Sequence, residues 1–504
     1  MALATQKFLS ELDALAAARR EEIRKTPDLI AVTGTRYYVT ADGNDEADGK
    51  SPETAWKTPE KVSKAALLPG DGVFFRRGDI FRGTVYCKSG VTYAAFGEGE
   101  KPRFYSWHHD LADPALWELY DEAANIWHLR EKITETGNLI FDGGREHAYK
   151  HIPSITKDGT YVVRDTDIPF VMQKEMTHDL DLYCLYVGDK FMTKPSKGED
   201  FPIPDFYEDS VSELYLRSNR GNPGYVFSSI EAAVRVAGFR IPHTVNDVTI
   251  DNLCLMYYGI HAISAGGERV RGLHVSNCEI GWIGGTVQSY SGTDPNHPQG
   301  IRGEVTRFGN GVEIYGGCDD YLVENCYVYE CYDAGLTHQV TTLGFTREMT
   351  NVVYKNNLIE NCVYGIEYFL EMREGDTESY MDNILMEGNF IRHSGEGWGQ
   401  QRHNTHTPAH IKGWSYENVA RHYTIRNNIL DRAGRRSVHL VAIDTASCPE
   451  MEGNTYVQYE GGSLGKYGGR ENGEPCDLYF DGAIEDTIRD VLGDKTAKVY
   501  TVKK

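Results

Sequence analysis

The sequence contains no run of about 18 apolar residues, the length that crosses a bilayer. Its opening, "MALATQKFLSELDALAAARREEIRKTPDL", lacks a basic stretch leading into an apolar one. Neither a transmembrane helix nor a secretory leader is therefore expected, and a cytoplasmic protein is. Basic charge is also scarce: 52 Lys and Arg stand against 74 Asp and Glu, a net charge of -22. That balance repels phosphate backbones and anionic lipid, so no nucleic acid and no membrane partner is expected. The ten cysteines show neither zinc-ligand nor Cys-x-x-Cys spacing and fall mostly in apolar, strand-like segments, which predicts buried free thiols. Helix-pair repeats and Trp-Asp blade signatures are missing too, which removes helical solenoids and propellers.

What remains is a long, folded, tyrosine-rich chain. At 504 residues it exceeds a single globular core of roughly 250–300 residues, so several domains or a repeat is required. A repeat is present. The segments "TIDNLCL", "HVSNCEI", "LVENCYV", "VYKNNLI", "LMEGNFI", "TIRNNIL" and "MEGNTYV" align Asn252, Asn277, Asn325, Asn356, Gly388, Asn427 and Gly453 in one column. A column that takes only Asn or Gly predicts a backbone position with positive φ. Short β-branched and apolar runs flank it, so each unit reads as strand, tight turn, strand. Stacked β coils follow, with an asparagine-rich β-sandwich as the alternative.

This pattern, strongest over residues 245–460, resembles the right-handed parallel β-helix of the pectate-lyase-like superfamily. Residues 37–104, with "PGD" and "RRGDIFRG" as turns, resemble the opening coils of β-helix carbohydrate-active enzymes. The resemblance implies an all-β solenoid in five parts. Residues 1–36 hold an N-terminal capping helix, with Phe8, Leu9, Leu12, Leu15 and Ile23 near helical spacing, expected to cover the open first coil. Residues 37–104 are first coils, 105–228 an inserted β-rich subdomain, 229–460 the main helix, and 461–504 a last coil and tail.

In such a coil a "GΦxΦ" strand points both Φ residues inward and the residue between them outward. Applied to "GIHA", "GVEI", "GLTH", "GIEY" and "SVHL", the rule predicts an outward column of His261, Glu313, Thr337, Glu367 and His439. Asp333 joins it from the turn of "YDAGLTHQ". Three carboxylates on one face suit glycoside hydrolysis, which needs one protonated acid and one ionised base or nucleophile. "GNGVEIYG", "YDAGLTHQ", "YGIEYF" and "GWGQQR" are similar to phrases of β-helix glycoside hydrolases. That similarity implies Asp333 as nucleophile or base and Glu367 as general acid, with Glu313 tuning their pKa values. The Asn/Asp triplets and Gly-His-Gly of polygalacturonases are absent, which speaks against a pectin hydrolase.

The expected partner is a carbohydrate. Thr337 and Gln339 on the strand, with His261, His410 and His439, are expected to hold its hydroxyls. Trp282, Trp398, Gln401 and Arg402, from long loops, are expected to wall the cleft together with Tyr290 and Trp414. Arg402, Lys412, Arg435 and Arg436 form a basic set that keeps a polysaccharide lyase acting on a uronate as the alternative. A noncatalytic glycan-binding β-helix is the third reading. No catalytic cofactor or metal is expected. "DGNDEADG" at 42–49 has oxygen ligands at alternate positions that suit a structural calcium, and reads more readily as an Asx-rich turn.

Overall fold

A computed structural model describes residues 2–28, 31–123, 125–151, 154–155, 161–162, 182–187, 211–267, 269–290, 305–342, 345–373, 375–401 and 407–503. Three sheets of eleven, ten and ten strands run along the chain, and most neighbouring strands of each are one coil apart, an exception being Ala2–Leu3, which pairs with Lys498–Val502. One coil shows the plan. Cys318–Glu324 lies in sheet II, Tyr327–Cys331 in sheet I, and Ala334–Thr341 in sheet III. Each pairs in parallel with its counterparts one coil before and after. The fold is a right-handed parallel β-helix, the hand that parallel crossovers take.

The Asn/Gly column marks the turn from sheet II to sheet I. All seven residues have positive φ, between 49° and 68°. Equivalent bonds repeat down the stack: the Asn325 N–H donates to Lys355 O and the Asn356 N–H to Glu387 O, both at 3.0 Å. The next residue inward forms a second column that the left-handed signal hides. Asn357, Asn389, Asn428 and Asn454 are buried, and each side-chain N–H donates to the oxygen of the next, ending on Asp494. Each bond contributes about 0.5–1.5 kcal/mol net.

Leu336, Ile366, Ile411 and Val438 pair in register and point into the main core, as the "GΦxΦ" rule requires. Eight of the nine described cysteines are buried free thiols, and Cys476 is exposed. The helix expected at the N-terminus spans Gln6–Arg24. It lies along the flank of the stack: Leu12, Ala16 and Ile23 pack on Tyr327, Leu358, Phe390 and Val457 of sheet I. Arg20 pairs with Glu360 at 2.7 Å. The stack ends are closed by other segments. Val62 of Pro59–Lys64 enters the core near the edge strand Val85–Tyr86, and Ile484 and Ile488 of Ile484–Asp490 enter it at the far end.

Chain length is inserted at one corner, between sheets I and III. The chain is long there between Arg103–Tyr105 and Phe239–Ile241, between Glu279–Ile283 and Val312–Tyr315, and between Phe390–Arg392 and Ala409–Gly413, whereas the coil between Tyr327–Cys331 and Ala334–Thr341 spends only Tyr332 and Asp333. The strands described in the first excursion pair mostly antiparallel, with Tyr149–His151 parallel to Leu182–Val187, and its last strand, Ile230–Val234, pairs with Thr136–Phe141; the stack resumes at Phe239–Ile241. Among the described residues no helix is long and apolar enough to cross a membrane.

Candidate active site

The outer face of sheet III carries the acids. Register places Ser264, Glu313, Thr337, Glu367, Lys412, His439 and Lys466 in one outward row, one residue per coil. The pairings of Val312 with Leu336 and of Leu336 with Ile366 set Glu313 and Glu367 two strands apart, roughly 9–10 Å at the backbone. Asp333 enters from the short corner between them, its N–H donating to Gly309 O at 3.1 Å and its carbonyl accepting from Tyr364 N.

The three carboxylates differ in surroundings. Glu313 is buried, and its Oε2 accepts from Asn310 Nδ2 and from Thr337 Oγ1, both at 2.5 Å. Burial pushes its pKa up to about 8; those two donors oppose the rise, and the charges of Asp333 and then Glu367 add to it. Glu367 is engaged through both oxygens: Lys412 Nζ lies 2.9 Å from one and Gln339 Nε2 2.8 Å from the other. Lys412 also sits 3.7 Å from the centre of the Tyr364 ring. Burial works to lower its pKa, but the charge of Glu367 and the contact with Tyr364 outweigh it, and the ammonium is held. His439 accepts from Arg436 through Nδ1 at 2.6 Å, and burial with the neighbouring Arg436 charge lowers its pKa to about 3. It therefore stays neutral, with its proton on Nε2.

Thr337, Gln339 and His439 thus stand where the sequence places them. His261 does not. Ile263, not Ile260, pairs with Val312, so Ser264 fills the outward position and His261 falls three residues early, at the corner. "GIHA" imitates the strand phrase, but the Gly259 and Ile260 N–H groups are taken by Val234 O and Val236 O. His261 still borders the acids: its Nδ1 accepts the Asn310 N–H at 2.9 Å, and burial keeps it neutral, with a pKa of about 3.

The loop residues are mostly struts. Trp282 belongs to sheet I and packs in a buried cluster with Tyr105 and Ile140, its ring against Gly144. Trp398 is buried at the corner, its indole N–H donating to Glu330 O at 2.7 Å and its main-chain N–H to the Glu330 carboxylate at 2.9 Å. Gln401 clasps the inserted segment, donating to Ala148 O at 2.9 Å and accepting from Lys150 N. His410 points into the interior and bonds Ser394 Oγ at 2.9 Å; burial keeps it neutral. Arg402 and the Tyr290 side chain lie outside the described residues. Each strut carries a side chain common in glycan sites, but burial and backbone partners commit it elsewhere.

Several groups were missed. Asn310 bonds His261, Glu313 and the Ala334 N–H at once. Its signal was present: "GNGVEI" puts it three residues before the acid. Arg307, buried, donates to Gly285 O at 2.6 Å and Gly137 O at 2.9 Å, tying two excursions together beside Tyr332. Nothing in the local sequence announces it. Asp42, Asn44 and Asp48 of "DGNDEADG" are used by Arg76, by Glu46 N and by Lys50 N with Thr54 Oγ1, an Asx-rich turn.

No family profile matches this sequence, and no curated protein does. Solved structures of similar fold include a complex of XylC with xylose, at 11% identity over 93% of this chain and 83% of that one, TM-score 0.37. Pectate lyase Pel9A matches at 11% identity over 88% and 74%, TM-score 0.41. A GH136 lacto-N-biosidase from Eubacterium ramulus matches at 10% identity over 99% and 71%, TM-score 0.33. At such identities and TM-scores these likenesses carry no argument about this chain.

Proposed function

We propose that the protein is a glycoside hydrolase that cleaves oligo- or polysaccharides on the outer face of sheet III. The observation that carries this reading is the contrast between two carboxylates of one row: Glu313, pushed up to about 8, and Glu367, ion-paired with Lys412 at 2.9 Å. Carboxyl groups whose environments drive their pKa values apart are what acid and base roles require. Glu313 is the general acid. Its Oε2 is occupied by two donors, so the transferable proton rides on Oε1. Asp333, beside it at the corner, is the nucleophile or base. The Lys412 ion pair moves the acid role away from Glu367, which with Gln339 holds a substrate hydroxyl and adds charge that keeps Glu313 protonated.

A lysine base for β-elimination on a uronate must be neutral, and the one lysine of this row next to the acids is held protonated by Glu367. A purely binding face has no use for a protonated buried carboxyl, whose desolvation weakens the fold. The test is a panel of nitrophenyl glycosides and oligosaccharides, followed by released nitrophenol, by reducing ends and by the absorbance of unsaturated products. Hydrolysis abolished in Glu313→Gln supports the reading. Unsaturated products, or no turnover on any substrate, overturn it.

A further inference from the structure

We infer that the glycan taken by this face is uncharged and that its sugar rings lie on a row of aromatic side chains running beside the carboxylates. The inference rests on the hydrolase reading above and adds the class of substrate. Two independent observations carry it.

The first is charge pairing. Three cations that follow the acids along the stack are already matched by carboxylates of the same chain: Lys412 with Glu367 at 2.9 Å, Arg436 with Asp477 at 2.6 Å, and Lys466 with Glu474 at 2.6 Å. On the other side of the acids, Arg240 lies against Tyr86, with its guanidinium 3.3 Å from the hydroxyl. A uronate or sulfated sugar placed over Glu313 and Asp333 would meet carboxyl groups first and would have to displace an internal anion to reach Lys412, Arg436 or Lys466. Neutral hydroxyls have no such competition, because they bond to paired charges without separating them.

The second observation is the neighbouring row. Tyr315 follows Glu313 by two residues, Phe369 follows Glu367 by two, and Trp414 follows Lys412 by two, so the three rings emerge on the acid face of the sheet. Phe369 and Trp414 touch, with ring centres 4.7 Å apart, and Tyr315 lies 6.3 Å from Phe369. Tyr315 keeps 40% of its surface exposed on a strand whose other residues are buried. Tyr315 and the half-buried Trp414, with buried Phe369 bridging them and Gln339 in the same row, border a polar row whose charges are paired, which is complementary to the apolar CH faces and the hydroxyl edge of a neutral sugar.

The test uses the full chain carrying Glu313→Gln, so that bound glycan survives. It is titrated with xylo-, cello-, manno- and lacto-N-oligosaccharides on one side and with oligogalacturonides and heparin oligosaccharides on the other. Binding is expected in the neutral set only, changing less than about twofold between about 20 and 500 mM salt. Adding Trp414→Ala is expected to weaken it about tenfold or more without lowering Tm. Glu474→Gln, which unmasks Lys466, is expected to leave neutral-glycan affinity unchanged and to create binding of the acidic set that salt removes. Salt-sensitive binding of acidic glycans with Glu474 intact, or an unchanged affinity in Trp414→Ala, overturns the inference. Neutral glycans that bind but are left whole by the unsubstituted protein support the inference and sink the hydrolase reading. A face that binds neither set overturns both.

Discussion

Lys412 stands one strand beyond Glu367 on sheet III, and its Nζ lies 2.9 Å from a Glu367 carboxylate oxygen. That ion pair decides which carboxyl on the face can carry a proton. Two outward strand neighbours of opposite sign fix each other's charge, because each disfavours the neutral form of the other. Glu313, two strands away, has uncharged donors and other acids for company.

Breaking the pair tests this directly. In Lys412→Met, Glu367 loses its counter-charge inside a buried site, so its proton affinity rises and competes with that of Glu313. Turnover is expected to fall about tenfold or more, and the acidic limb of the pH profile to move to higher pH. Lys412→Arg, which keeps the charge, is expected to restore most of the rate. A Met variant with the original profile would show that Lys412 serves packing over Tyr364 alone.

The pH dependence of the acid itself has a definite sign. Glu313 is raised from the ordinary carboxylate range to about 8, so activity is expected to be lost as pH rises through about 8, and Glu313→Gln to abolish that limb along with turnover, by a factor of about 10² to 10⁴. Stability follows the same sign. The folded state binds this proton more tightly than the unfolded one, so the contribution is fully present below the ordinary carboxylate range and is lost as pH rises toward 8. Melting curves of Glu313→Gln should therefore gain on the unsubstituted protein between about pH 4.5 and 8. Parallel curves would remove the raised pKa from the mechanism.

The asparagine ladder predicts a loss without change of chemistry. Asn389 Oδ1 accepts from both the main-chain and the side-chain N–H of Asn357, and its Nδ2 donates to Tyr354 O and Asn428 Oδ1. Asn389→Ala leaves these buried groups unmatched, at about 1–3 kcal/mol for each unsatisfied one, and is expected to cost at least about 2 kcal/mol in denaturant unfolding. Turnover per folded molecule is expected to stay the same. A smaller loss would mean that water enters the coil and replaces the side chain.

How legible this was in the sequence varied with the kind of signal. The Asn/Gly column was readable because positive φ restricts residue choice at a single position, and Asn325, Asn356 and Gly388 carry that restriction openly. The acids followed because "GΦxΦ" has a fixed inward and outward sense, which Leu336 and Ile366 obey. His261 failed where a corner segment copied the phrase, and only the pairing of Ile263 with Val312 separates the two. Trp282, Trp398 and Gln401 failed for a different reason: composition says what a side chain can bind, not whether its own chain already covers it. Lys412 was noticed as a basic residue near the face, but its pairing with Glu367 depends on register across 45 residues that include a whole excursion.

The stereochemical outcome depends on which carboxylate works with Glu313, and the coil geometry separates the choices. Asp333 precedes the strand adjacent to that of Glu313, about one strand spacing of 4.8 Å away, close to the roughly 5–5.5 Å of a retaining pair. Glu367 is two spacings away, near the roughly 6.5–9.5 Å of an inverting pair. Of the two, Asp333 weighs more on the Glu313 proton, and Glu367 has both oxygens engaged by Lys412 and Gln339. Retention of anomeric configuration is therefore expected, with Asp333 as nucleophile. Proton NMR of the first product formed from a substrate in the Glu313-competent enzyme checks it before mutarotation sets in. Asp333→Asn is expected to lower turnover by about 10² or more with Tm unchanged, and Glu367→Gln to lower it less while raising KM. An inverted product, together with a larger loss in Glu367→Gln than in Asp333→Asn, would transfer the base role to Glu367 and place the attacking water between the two strands.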